Sequence, residues 1–292
     1  MMVQSENMRS AALITLSMTA FTINDALMKL ASPDLPFFFQ IWMRGCLIIV
    51  GLYMFAAMSG HMRFKMSGRD LALSMLRMMC EAIGTLLFLK ALFEIPIANL
   101  SAILQALPLT VTLAAAVFFG ERVGWQRIAA IMVGFIGVAI IIRPGLDGFS
   151  IYSLYGVGTV VAITVRDLAA RKLSNDIPSS RVALGSAIGV TVLAACGSLM
   201  TNEAWVMPKL TEIALVSSAS VTLMIGYVSA VAGMRGGDLG FVAPFRYSSL
   251  LVALILGLVL FREWPDAFTM FGAGIVVATG LFTIYHERLS HG

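Results

Sequence analysis

Residues 240–266 read GFVAPFRYSSLLVALILGLVLFREWPD. The run is apolar over a length that would cross a bilayer, yet it carries Arg246 between Pro244 and Tyr247. It closes on a charged corner, Arg262-Glu263-Trp264-Pro265-Asp266. A helix in a soluble core has no use for this layout, and a membrane helix needs a reason for the arginine. Asking what the rest of the chain does with such a segment decides the fold.

The chain has 292 residues, of which 59% are hydrophobic and 12% charged, with a mean hydropathy of +0.90. Soluble domains carry roughly 25% charged residues, so about half of the usual solvating surface is missing. An integral membrane protein is the class that fits. The net charge of +4 does not indicate nucleic acid, because the basic residues are scattered between apolar runs without aromatic interleaving. Cys46, Cys80 and Cys196 lie inside apolar segments at no metal-ligand spacing and read as packing residues. No metal or cofactor is implied. Arg9 and the apolar run after it imitate a signal peptide, but Asn24, Asp25 and Lys29 continue the segment where a small-residue cleavage site would stand.

Apolar segments fall at about 9–30, 37–58, 70–93, 96–119, 125–142, 151–172, 180–200, 212–233, 239–261 and 267–286. Each approaches the roughly 20 residues that span the hydrocarbon core as a helix, and none alternates as a barrel strand would. The fold expected is an all-α integral membrane protein of ten transmembrane helices. With the N-terminus inside, eleven loop Lys and Arg fall on the cytoplasmic side (Arg9, Arg63, Lys65, Arg69, Arg122, Arg127, Arg171, Lys172, Arg181, Arg235, Arg288). Five fall outside or near outer helix ends: Lys29, Lys90, Arg143, Lys209 and Arg262. Both termini are therefore expected in the cytoplasm, and the membrane is expected to be the bacterial inner membrane.

Residues 113–143 lie over 255–285: each copy has a helix ending in Phe-x-Glu, a corner, then a Gly-rich helix. Glu121 falls on Glu263. A five-helix unit used twice enters the membrane from opposite sides, which makes an inverted 5+5 repeat around a central cavity, with halves 1–143 and 144–292. Gly134, Gly137, Gly272, Gly274 and Gly280 allow close helix approach, either within the bundle or at the contact of a homodimer. Glu121 and Glu263 read as structural ties at the corners.

APFRYSSLLVALILGLVLFREWPD, its counterpart ANLSAILQALPLTVTLAAAVFFGERVGWQ and the opening AALITLSMTAFTINDALMKL resemble the EamA-type drug/metabolite transporter superfamily over essentially the whole chain. The resemblance implies a 5+5 inverted fold that moves small metabolites across the cytoplasmic membrane. Residues 21–25 (FTIND) and 244–247 (PFRY) look most like a subgroup holding riboflavin and S-adenosylmethionine importers. One departure is that Pro244 sits earlier in register than Pro108, so the two halves need not kink alike.

Polar side chains inside a bilayer are expensive, so they mark the candidate substrate site: Asn24, Asp25, Trp42, Arg44, Arg77, Glu81, Gln105, Arg246 and Tyr247. Arg77 and Glu81 are four residues apart, on one helix face, and form either a self-neutralising pair or a cavity wall. Asp25 has Lys29 as a local partner, or else serves as a gate or protonation site. Arg44 and Arg246 have no acidic residue at helical spacing and must find a partner on another helix or water. Arg166 and Asp167 sit near a loop and read as snorkelling to the surface.

The function expected is secondary transport of a small organic metabolite by alternating access, with riboflavin uptake first and export of amino acids or related metabolites as the alternative. No GxxxxGK[ST] sequence is present for ATP. Proton coupling through Asp25 or Glu81 and uncoupled movement both stay open. A membrane enzyme would need clustered catalytic groups, whereas His61, His286 and His291 all lie in loops or the tail. A channel would need charge rings that are not evident.

Overall fold

The computed structural model describes residues 2–58, 67–120, 123–146, 149–174, 177, 179–236 and 242–291. Glu121, Arg122, His61, Arg63 and Lys65 lie outside these, as do Gly240 and Phe241 of the stretch quoted first. The described residues are helical with no strand. The helices are α1 Met2–Ala31, α2 Phe37–Met58, α3 Gly68–Glu94, α4 Ile97–Leu104, α5 Leu107–Phe119, α6 Trp125–Ile142, α7 Ile151–Arg171, α8 Ser179–Met200 and α9 Leu210–Gly236. They are followed by a 3₁₀ turn Ala243–Tyr247, α10 Ser248–Leu256, a π turn Gly257–Phe261 and α11 Ala267–His291.

Among the described residues, nine helical segments are long and apolar enough to cross a membrane, and the apolar part of α11, Ala267–Thr283, is a shorter tenth. Their outward faces carry large apolar side chains in the open, such as Val117, Phe118, Met132, Leu199, Val259 and Phe271. In water such a surface would aggregate; in a bilayer it is the solvated face.

The fourth and ninth spans are not simple helices. Pro108 has no backbone N–H for Leu104, and the helix breaks at Gln105-Ala106, with α5 starting afresh at Leu107. The ninth span instead opens as a 3₁₀ turn containing Pro244 and closes as a π turn ending at Phe261. The different proline register therefore distorts the two spans at different depths.

Helix packing obeys an inverted repeat. The closest neighbours are α1 with α9, α3 with α7, α2 with α8, and α6 with α11. Exchanging the first five spans for the last five turns the first pair into the second, and maps α2–α8 and α6–α11 onto themselves. That is the behaviour of a pseudo-two-fold axis running between the halves. The backbone repeats as well. Gly120 (φ 67°) and Arg262 (φ 56°) both take the left-handed cap that ends their spans, and the shift of 142 residues that lays Glu121 on Glu263 superposes them. Arg262 adopts this conformation where Gly120 has no Cβ to oppose it.

On the axis, α6 and α11 approach until a Cβ on Gly137 would lie 2.9 Å from the Gly272 carbonyl oxygen. Small residues are what permit two helix backbones to meet in this way. These glycines serve contacts within the bundle, while Gly274 faces open space.

The core is unevenly placed. Met28, Ile41, Leu89, Leu92 and Ile97 are fully buried together with Ile95 and Ala253 towards the end of the bundle that carries Lys29 and Glu263. The opposite end is hollow.

Candidate functional site

The hollow is a cavity of about 950 Å³ between α1, the break in the fourth span, α7 and the start of the ninth span. It reaches the bundle end where Val123, Arg127 and Arg171 stand, and Met18, Phe21, Thr22, Asp25, Gln105, Arg166, Asp167, Arg246, Tyr247 and Ser249 are among its walls. The break that Pro108 causes turns the Gln105 side chain towards the ninth span, where its Nε2 donates to Ser249 Oγ at 2.9 Å. This bond ties the two halves across the cavity.

Asp25 lies on the cavity wall and Asn24 behind it: Asn24 is 2% exposed and its Nδ2 donates to Asp25 Oδ1 at 2.9 Å. Asp25 makes no ion pair among the described residues. Lys29, its expected local partner, turns instead to Glu263, with Nζ 2.8 Å from Oε1. The ammonium is drawn away because Glu263 and the Ile95 carbonyl, 2.6 Å from Nζ, offer it two anionic or polar acceptors at once.

Arg246 is exposed on the wall without an ion-pair partner among the described residues. Tyr247 contributes its ring, but its hydroxyl is buried without a hydrogen bond and lies against Gly280, where a Cβ would stand 1.6 Å from it.

The other four expected site residues are elsewhere. Trp42 packs between Phe39 and Trp205, with ring centroids 6.1 and 4.6 Å away, so it is part of an aromatic cluster and away from the cavity. Arg44, Arg77 and Glu81 line a separate pocket of about 80 Å³ between α2, α3, α8 and α9. Arg77 and Glu81 do not pair along their helix. Arg77 Nη1 donates to Ser186 Oγ at 2.9 Å, and Glu81 accepts from Arg166 Nη1 at 3.1 Å.

Arg166 therefore does not snorkel to the surface. Its guanidinium points inward, bonding Glu81 through Nη1 and Asp167 through Nε at 2.8 Å, and it lines the large cavity. Proximity to the loop misleads here, because α7 runs antiparallel to α3 and the two helices bring Arg166 and Glu81 to one depth. A signal was available in the repeat: the shift of 142 residues lays Asn24-Asp25 on Arg166-Asp167. Both pairs show the same neighbour-to-neighbour hydrogen bond. Gln105 falls on Tyr247 under the same shift, so the cavity straddles the repeat axis.

The sequence model of the EamA-like transporter family matches residues 8–143 and again residues 150–285. The chain belongs to the EamA-like transporter family. It is a multi-pass membrane protein, and its family members are transporters. Among its relatives, the S-adenosylmethionine uptake transporter of Rickettsia conorii is 28% identical over 195 residues, 66% of this chain. The match spans only 65% of that relative's length. The riboflavin transporter of Vibrio cholerae is 30% identical over 216 residues, 73% of this chain and 71% of that protein. The pseudopaline exporter CntI of Pseudomonas aeruginosa is 24% identical over 271 residues, covering 91% and 92%. A solved crystal structure that is 19% identical in sequence superposes with a TM-score of 0.67 over 96% of this chain and 98% of the other, a likeness of fold. The subgroup suspected from residues 21–25 and 244–247 thus stands among the relatives.

Proposed function

We propose that this transporter imports a small organic metabolite by alternating access, with riboflavin as its leading cargo. The observation that carries the reading is the cavity of about 950 Å³ on the repeat axis, which reaches the bundle end carrying Val123, Arg127 and Arg171. Secondary transporters built as inverted repeats hold cargo at the interface of the halves. Phe21 and Tyr247 stand in the cavity wall as aromatic surface for a flat heteroaromatic cargo, and Thr22, Gln105 and Ser249 add polar atoms for a hydroxylated chain. The riboflavin transporter among the relatives supports the same cargo.

S-adenosylmethionine is the second reading, favoured by Asp25. Its carboxylate faces the cavity without an ion pair among the described residues, a counter-charge for a sulfonium or ammonium group. Asp25, Gln105, Arg246 and Tyr247 are the residues we assign to the cargo, with Asn24 holding Asp25 in place. The open end, which carries Arg127 and Arg171, is the cytoplasmic one, with both termini on that side of a bacterial inner membrane. Asp25 and Glu81 are the carboxylates through which a proton gradient would act.

The test is uptake into proteoliposomes of labelled riboflavin, S-adenosylmethionine and amino acids in separate arms. Saturable riboflavin uptake is expected. Movement of S-adenosylmethionine alone would replace the cargo, movement of amino acids alone would favour the exporter, and a chemically altered product would favour an enzyme.

A further inference from the structure

The small pocket holding Arg44, Arg77 and Glu81 is outside the cargo cavity, and its position is not accidental. Under the shift of 142 residues Arg44 falls on Ser186, Glu81 on Leu223 and Thr85 on Tyr227, and all six line it. The pocket sits on the repeat axis, between the helices that exchange when the halves exchange.

Its charges are not balanced by bonds. Arg44 is only 7% exposed, forms no hydrogen bond or ion pair with the described residues, and its Nε is buried without a partner. The carboxylates whose charge acts on it are Asp25 first and then Glu81, and the neutral Tyr227 lines the same pocket. Asp25 belongs to the large cavity, and the Glu81 carboxylate is taken up by Arg166. Arg77 has a neutral acceptor, the Ser186 hydroxyl. Two guanidinium groups therefore share a pocket whose single carboxylate is already bonded to a third. A buried charge in a membrane protein calls for a counter-charge.

We propose that this pocket binds one small monovalent anion, chloride in the cell, between Arg44 and Arg77. A cavity of about 80 Å³ has room for a chloride ion and water, since one water needs only roughly 10–15 Å³ of such space, and it is less than a tenth of the cargo cavity. The Glu81–Arg166 pair joins the walls of this pocket and of the large cavity. Anion occupancy is thereby linked to the arrangement of the halves, in the place where inverted-repeat transporters keep coupling ions. The proposal does not depend on the identity of the cargo.

The test uses the purified full chain in gluconate buffer at constant ionic strength, with ³⁶Cl⁻ as the probe. One saturable site per chain is expected, competed by bromide and not by gluconate, together with a higher melting temperature in chloride than in gluconate. Arg77→Gln is expected to weaken binding by at least about tenfold, the factor that 1.4 kcal/mol represents. Ala187→Leu fills the pocket without changing any charge and is expected to do the same. Arg44→Gln risks misfolding, so these two variants and the wild-type stoichiometry decide the matter. Absence of saturable ³⁶Cl⁻ binding to the folded wild type, with equal melting temperatures in the two salts, would overturn the proposal and leave a pocket of water only.

Discussion

Lys29 Nζ and Glu263 Oε1 stand 2.8 Å apart, and the bond joins the first span to the end of the ninth across the two halves of the repeat. Lys29 also donates to the Ile95 carbonyl at 2.6 Å, and Glu263 Oε2 accepts the Ile97 N–H at 3.1 Å. One ion pair thus fixes the junction of α3 and α4 as well, at the end of the bundle that the apolar core seals. The sequence expected Glu263 to tie a corner to nearby backbone or an arginine; it holds the Ile97 N–H and takes Lys29 as its ion-pair partner. Glu121, its counterpart, lies outside the described residues.

Removing Glu263 strands the Lys29 ammonium where only 10% of its side chain is exposed. Breaking one partner of a buried pair costs about 3–5 kcal/mol, and the 23% exposure of Glu263 puts this case towards the lower figure. Glu263→Ala should lower the melting temperature of the purified protein by several degrees. Glu263→Gln should lower it less, because the amide oxygen still accepts the Ile97 N–H. Equal effects in the two variants would count against the shared clasp.

Glu81 and Arg166 form the ion pair between α3 and α7, and their loss should act on transport. Glu81→Gln should reduce uptake by at least about tenfold while the protein still inserts in the membrane, because Arg166 keeps Asp167 but loses its hold on α3. Adding Arg166→Gln to Glu81→Gln should restore part of the activity, since both charges are then gone. Arg246→Ala, on the cavity wall, should raise KM more than it lowers kcat. Wild-type kinetics in Arg246→Ala would sink the cargo-site assignment, and wild-type kinetics in Glu81→Gln would remove the role given to the α3–α7 ion pair.

Gly137 and Gly272 meet backbone to backbone, so a methyl group has nowhere to go. Gly137→Ala should separate α6 from α11 and destabilise the protein by about 1–3 kcal/mol, the usual cost of overpacking, read as a lower melting temperature. Gly274→Ala, with open space around it, should not lower the melting temperature, since Ala is the better helix former, and serves as the control.

Asp266 caps α11 through the Thr269 N–H at 2.8 Å and pairs with Arg143. Partial burial pushes its carboxyl up, but the hydrogen bonds from Arg143 and Thr269 and the Arg143 charge outweigh that and hold it below the ordinary carboxylate range. A depressed value in the folded state means stability that is present above the unfolded value, about 3.9, and lost as pH falls through the folded value. Asp266→Asn should therefore melt slightly below the wild type at pH 7, and the two curves should converge in strong acid. The half-exposed side chain keeps the difference small.

The sequence by itself determined the membrane class, the ten spans and the repeat, because these rest on properties that every residue carries with it: apolar length, proline and glycine placement, and the Phe-x-Glu corner. Arg246 pointed to the cavity because an intramembrane charge without a local partner has to face something polar, and Asp25, Gln105 and Tyr247, named as candidates beside it, line the same cavity. Partner choice was not legible. Lys29 passed over Asp25, four residues away, for Glu263 on another span, and Glu81 passed over Arg77 for Arg166, because helix spacing fixes only which face a side chain shares. Only the tertiary structure decided which faces meet, and with that it sent Trp42 into an aromatic cluster and divided the expected single site into a large cavity and a small charged pocket. The arginine in residues 240–266 has its reason in the first of these.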